Sequence, residues 1–172
     1  NCAGPFSLTI QHILPHCLRN KVHYLDITGE IDVFEFIAGN DAEAKAAGIA
    51  MIPGVGFDVV PTDCLAAFLH DALPSATHLE LAFHSTSGLS RGTALSVLNR
   101  INKGGARRIN GQIADFSMGS LQKKIQFGAS EYPCAAIAWG DVFTAFHTTG
   151  IPNITVYNSM PLQMIKRLAT IS

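Results

Sequence analysis

The chain predicts an α/β protein: a partial Rossmann-like parallel segment followed by an α+β lobe, itself a mixed, largely antiparallel sheet with a helical layer. Three observations carry this. Residues 1–74 alternate short apolar runs with helix-periodic segments, the pattern of a parallel sheet. The stretch Pro53-Gly54-Val55-Gly56-Phe57-Asp58-Val59-Val60-Pro61-Thr62-Asp63 joins an apolar run to an apolar-periodic segment through two glycines, which reads as strand, turn, helix. After Pro74 the period falls to two, as in His78-Leu79-Glu80-Leu81-Ala82-Phe83-His84, a half-buried strand.

The elements follow in order. Ser7 precedes Leu8, Ile10, Ile13, Leu14, Cys17 and Leu18 at helical spacings, and Pro15 among them predicts a kink or break. Residues 22–27 form a strand that ends in Asp26-Ile27-Thr28-Gly29-Glu30. Asp32 is placed to cap a helix over residues 33–47, which Gly48 stops. Residues 49–52 are a second strand, and Thr62 or Asp63 can cap the helix after its glycine turn.

A boundary near residues 73–76 separates residues 1–74 from 75–172. The second part reads as a strand at 78–84, a Ser/Gly loop at 85–92 and a helix at 93–102 ended by Gly104-Gly105. Strands near 108–116, 123–129, 141–149 and 154–157 and a helix at 162–168 complete it. Two strands do not make a stable parallel sheet, because parallel sheets are buried on both faces. The first part therefore predicts a covering partner, either a second copy in a homodimer or an upstream segment whose last strand ends at residues 1–6.

Charged residues make up 15%, well below the usual quarter, which points to a surface covered by another domain, subunit or ligand. A net charge of −1 without a basic run argues against nucleic-acid binding. Without an apolar stretch of spanning length or a signal peptide, a cytoplasmic protein with no membrane span is expected. Cys2, Cys17, Cys64 and Cys134 lack C-x-x-C spacing, so reduced, mostly buried thiols are expected and no metal site is. His12 and His16 share a helix face, but with no third ligand they read as solvated.

The chemistry gathers at the turns. Asp58 sits in an otherwise apolar turn, where an unpaired carboxylate is costly, at the end of a strand where open α/β sheets place ligands. Asp26 and Asp58 each read either as caps of turn backbone or as substrate-holding or proton-orienting groups. Tyr24 reads as a core aromatic, or as a proton donor if its hydroxyl faces the cleft. His78 and His84 lie on one strand face, and His84 ends that strand beside the Ser/Gly loop. Gly88-Leu89-Ser90-Arg91-Gly92 fits the G-x-S-x-G elbow of serine hydrolases, with Asp115 or Asp141 and then His147 in hydrolase order. That elbow needs a buried strand running directly into the serine, whereas here the strand alternates and a loop intervenes. A glycine-rich loop opening a helix is the better fit, with Ser90, Arg91 and Thr93 holding a substrate carboxylate or phosphate.

Asn1-Cys2-Ala3-Gly4-Pro5-Phe6, His23-Tyr24-Leu25-Asp26-Ile27-Thr28-Gly29-Glu30, the 53–63 turn and Gly88-Leu89-Ser90-Arg91-Gly92-Thr93 occur in this order. Together they resemble the saccharopine dehydrogenase-like oxidoreductases, in the branch that includes trans-acting enoyl reductases. The resemblance is strong over residues 1–100 and weaker beyond. It implies a Rossmann domain, an inserted mixed α/β domain, NAD or NADP as cofactor, and a small-molecule substrate.

By the same resemblance, Cys2, Ala3, Gly4, Pro5, Phe6, Gly54 and Gly56 lie on the nicotinamide side of the cofactor. Tyr24, Asp26 and Asp58 are the candidate catalytic groups, and Glu30, His84, Ser90, Arg91 and Thr93 the candidate substrate contacts. The family's G-x-G-x-x-G phosphate turn has no counterpart in these residues. The chain by itself is thus expected to hold no dinucleotide tightly and to be part of a longer enzyme. The alternative expectation is a non-catalytic dimerisation domain.

Overall fold

The structure, a computed structural model, describes residues 1–86 and 104–170. Its α/β character is as predicted. Helix α1 (Phe6–Asn20) leads to strand β1 (Tyr24–Leu25), helices α2 (Ile31–Gly39) and α3 (Asp41–Ala47), strand β2 (Met51–Ile52) and helix α4 (Val60–Ala72). Strands β3 (His78–Phe83), β4 (Gly105–Ile109), β5 (Gln112–Phe116), β6 (Gln122–Phe127) and β7 (Ser130–Ile137) follow, then helix α5 (Asp141–Thr149), strand β8 (Asn153–Ser159) and helix α6 (Leu162–Leu168).

β1 and β2 pair in parallel, Tyr24 with Met51 and Leu25 with Ile52. Tyr24 turns inward with Val33, Ile37, Ile10 and Leu14 to form the core under α1 and α2. The alternate pair faces the other way and is bare: Leu25 is 45% and Ile52 49% exposed. The helices thus cover one face of the parallel pair, and among the described residues no second layer of the kind parallel strands require covers the other.

The second sheet is mixed, in the order β5-β4-β8-β7-β6, with β3 parallel to β8 along 78–83 and 153–158. Because β8 also pairs antiparallel with β7 at 156–159 and with β4 at Ile154, those two strands share its second edge in tandem. Leu79, Leu81, Ala106, Ile154 and Val156 of this sheet pack on Val142 and Ala145 of α5, and also on Ala66 of α4 and Ile31 of α2. The main core therefore crosses the 74/75 division.

Several expectations are corrected. Helix α1 runs unbroken through Pro15: Pro15 and Gln11 lie on the exposed side, where the carbonyl freed by the missing N–H meets water, while buried Ile10 and Leu14 hold the opposite side. The 33–47 helix is two helices that meet at Asn40, and Asp32 lies inside the first turn of α2, whose N-cap is Glu30. Neither Thr62 nor Asp63 caps α4, which starts from Val59.

Residues 141–149 are a helix, not a strand. Their β-branched and aromatic content imitates a strand, but Asp141, Val142, Ala145 and Thr149 are buried at helical spacing, and Gly140 and Gly150 bracket them. Strand β7 had no counterpart among the predicted elements. Two of the four cysteines, Cys2 and Cys64, are exposed rather than buried.

The predicted 108–116 strand is a hairpin, β4 and β5, turned at Asn110-Gly111. Both turn residues have positive φ, 48° and 82°, as a two-residue Asn-Gly turn of the kind that matches strand twist requires. Gly111→Ala is expected to lower stability by about 1–2 kcal/mol, the cost of a Cβ in the left-handed region. An unchanged urea midpoint would contradict this.

Candidate functional site

Three segments meet at the carboxyl ends of β1 and β2: residues 1–5, 26–30 and 53–59. Asp26, 1% exposed, joins them. Its Oδ1 accepts the backbone N–H groups of Thr28 (3.0 Å) and Gly54 (2.9 Å), and its Oδ2 accepts the Tyr24 hydroxyl (2.7 Å). One carboxylate thus closes its own turn, ties it to the next strand's turn, and holds the tyrosine. The Asp26 carbonyl adds a bond from Val55 N–H at 2.8 Å. These three partners give Asp26 the turn-capping role among its predicted alternatives. Tyr24 is buried, and its hydroxyl is committed to Asp26 while accepting from Asn1 Nδ2 at 3.2 Å. Burial, with Asp26 adding to it, pushes the phenol well above its ordinary range. The hydroxyl is therefore engaged inside the fold rather than open to solvent.

The bonding continues outward. The Thr28 hydroxyl accepts Glu30 N–H at 3.0 Å, and the Glu30 carboxylate accepts Phe6 N–H at 2.8 Å and Ser7 N–H at 3.0 Å. Pro5, the N-cap of α1, provides no capping side chain. Glu30 therefore caps α1 from 24 residues away, with its charge at the positive end of the helix. In this arrangement both Glu30 carboxylate oxygens serve the first turn of α1. Cys2, Ala3 and Gly4 are exposed at the rim, and Pro5 and Phe6 are half-buried behind them. The Asn1 amino nitrogen donates to the Leu25 carbonyl at 2.6 Å, on the edge of β1 opposite β2.

The glycines of the 53–59 turn serve packing. Gly54 has φ 70°, and a Cβ there would lie 2.7 Å from Phe34 Cζ. A Cβ on Gly56 would lie 3.0 Å from Cβ of Ile27. Val59, which begins α4, has φ 86°, a strained value for a β-branched residue, with a cost of about 1–3 kcal/mol. Gly140 abuts it, since a Cβ on Gly140 would meet Val59 Cγ1 at 2.5 Å. The turn is thus wedged between its own lobe and the start of α5.

Asp58 lies over Gly29, where a Cβ would meet its Oδ2 at 1.6 Å, so only glycine admits the carboxylate there. Its Oδ1 is buried without a hydrogen-bond partner. Burial first, and then the negative charge of Asp141, raise its pKa to about 8, against a hydrogen bond from the Trp139 side chain. Asp141, on the second lobe, is also pushed up, to about 6, chiefly by burial; Asp63 adds to this and the Thr62 hydroxyl, 2.5 Å from its Oδ1, opposes it. Sequence order gave no hint of Asp141 or Trp139 beside Asp58, because about 80 residues separate them from it.

His84 is elsewhere, on the second sheet, with Nδ1 2.6 Å from the Ser159 hydroxyl and its ring 4.1 Å from that of Tyr132. Ser90, Arg91 and Thr93, and with them the G-x-S-x-G segment and the predicted 93–102 helix, lie outside the described residues. An open groove of about 590 Å³ between α2, α3, β2 and α5 is lined by Phe34, Ile52, Pro53, Phe143 and His147 among others; of the residues singled out in the sequence it holds His147 of the hydrolase order and none of the cofactor, catalytic or substrate candidates of the oxidoreductase reading. It lies mostly among the helices behind the turn and touches the strand-end loops at Pro53. Among the described residues no group of acids, His and Cys is arranged to hold a metal, and no helix is long and apolar enough to cross a membrane. No known family model and no curated protein matches the chain.

Proposed function

We propose that this chain supplies the nicotinamide-side loops and the substrate lobe of an NAD(P)-dependent oxidoreductase of the saccharopine dehydrogenase-like kind. The supporting observation is the Asp26 junction. It binds the 26–30 turn to the 53–59 turn at the carboxyl ends of two parallel strands, the place where open α/β sheets receive ligands. Residues 2–4 are exposed beside it, free to meet a cofactor ring. The cofactor carries the hydride, and the protein's part is orientation and proton supply. A bound nicotinamide would supply that hydride to the carbon of a C=O, C=N or activated C=C bond. Asp58, the carboxyl group that burial keeps protonated near neutrality, would give its proton to the far atom of that bond, which takes up the displaced electron pair.

The test is titration of the full-length protein with NADH and with NADPH, following nucleotide fluorescence. A saturable quench or shift with one of them is expected, and no binding of either removes the proposal.

A second reading, an association domain, is favoured by one observation. The bare Leu25 and Ile52 pair is accompanied by exposed Leu65, Phe68 (70%) and Leu69 on α4 and by Leu73 just after it. Sedimentation separates the two: a strictly monomeric, well-folded chain excludes association through this face.

A further inference from the structure

We infer that two copies of this chain associate about a two-fold axis through the exposed side of α4, the helices running antiparallel so that Phe68 of one protomer lies against Cys64 and Leu65 of its partner. This contact rests on the association reading above and gives it a partner, a second copy.

Helix α4 is apolar on both sides, and among the described residues only one side is covered. Ala66 is fully buried against Val142 and Ala145 of α5. The opposite side carries Pro61, Cys64, Leu65, Phe68 and Ala72 at helical spacing, and all five are exposed. A helix that is apolar all round belongs in an interior, because each of its sides loses by facing water.

The patch continues beyond the helix. Val60 stands one turn before Cys64, and Phe57, 80% exposed, lies in the turn that leads to it. Gly56, beside Phe57, packs on Ile27, since a Cβ there would lie 3.0 Å from the Ile27 Cβ. Ile27 is itself exposed and follows Leu25 by two residues, so the patch reaches the bare face of β1 and β2. The apolar side chains of the patch together expose on the order of 1,000 Å². The largest patch on an ordinary monomer is roughly 300–600 Å², and a standard interface takes about 800 Å² from each partner. The patch therefore exceeds what a monomer leaves open and meets what a dimer needs.

Charge selects the occupant and its direction. Residues 52–73, which build most of the patch, contain no Lys or Arg, so they offer nothing to an anionic lipid surface. In a two-fold contact every charge on the patch meets the same patch again. The acids within these residues are mostly turned away from it. Asp63 Oδ2 accepts the Thr148 hydroxyl of α5 at 2.6 Å, and Asp58 lies over Gly29. Asp71, at the C-terminal end of α4, is exposed. Parallel helices would bring the two Asp71 carboxylates together. Antiparallel helices set each one beside Pro61 of its partner, at the positive end of that helix. The register that matches 71 with 61 also brings Phe68 opposite Cys64 and Leu65.

The experiment is sedimentation velocity of the chain across a wide concentration range, paired with alkylation of Cys64 by iodoacetamide read by peptide mass spectrometry. A monomer–dimer equilibrium with nothing larger is expected, because an isologous contact closes on itself. Phe68→Asp, at an exposed position, should weaken the dimer by about tenfold or more. Leu8→Asp should leave it unchanged, since Leu8 is an exposed leucine of α1, the helix on the covered face of the parallel pair. Alkylation of Cys64 should slow several-fold as the unsubstituted chain is concentrated through the equilibrium, which reads the contact even if a variant fails to fold. A chain that stays monomeric overturns this contact and the association reading together. A dimer that Phe68→Asp leaves intact, or in which Cys64 reacts at an undiminished rate, overturns this contact alone.

Discussion

Asp26→Ala should lower stability by about 3–5 kcal/mol, whereas Asp26→Asn should cost only about 1–2 kcal/mol. The alanine leaves two buried backbone N–H groups, at Thr28 and Gly54, and the Tyr24 hydroxyl without their acceptor. Each such orphan costs about 1–3 kcal/mol, partly recovered where the turn relaxes toward water. Asparagine keeps Oδ1 for the two N–H groups, and its amide can donate to a tyrosine oxygen that now accepts. Urea unfolding of both variants measures the difference. A cost below about 1 kcal/mol for the alanine would show that the two turns are held by something other than Asp26. Loss of this junction should also loosen α1, because the bonds run from Asp26 through Thr28 and Glu30 to the α1 N-terminus.

Arg108→Ala should cost about 3–4 kcal/mol, and Arg108→Met about half as much. Arg108 is 6% exposed, and its guanidinium donates from Nε to the Val142 carbonyl at 2.9 Å and from Nη1 to the Gly111 carbonyl at 2.6 Å, and lies 4.2 Å over the Phe146 ring. It links the β4–β5 hairpin to α5. Alanine removes the bonds and the volume together. Methionine keeps most of the volume and brings no charge into the core, so only the loss of the hydrogen bonds remains. Chemical denaturation of the pair reads the ratio. Equal costs would mean that packing contributes nothing at this position.

Where a residue's neighbours in sequence decide its conformation, the sequence was legible. The parallel pair, the glycine stop at Gly48, the strand at 78–83 and the closing helix at 162–168 all follow from local periodicity and turn chemistry. The Asn110-Gly111 turn carried a plain hairpin signal that reading residues 108–116 as one strand passed over. At residues 141–149, Val, Phe and Thr favour a strand intrinsically. The burial of one helical face against β4 and β8 outweighs that preference, since strand propensity largely reflects the surface a segment packs on.

By itself the sequence determined the fold class, the two strand-end turns and the presence of buried acids within them. Only the tertiary structure decided what those acids do. It made Asp26 a junction between two turns, sent Glu30 to the end of α1, and set Asp58 over Gly29 beside an aspartate of the other lobe. The physical reason is that a carboxylate's role is set by which donors and charges reach it within a few ångströms. Apart from Tyr24 and Thr28 beside Asp26, those partners come from elements 24 to about 80 residues away, brought there by burial of the apolar faces rather than by any local pattern.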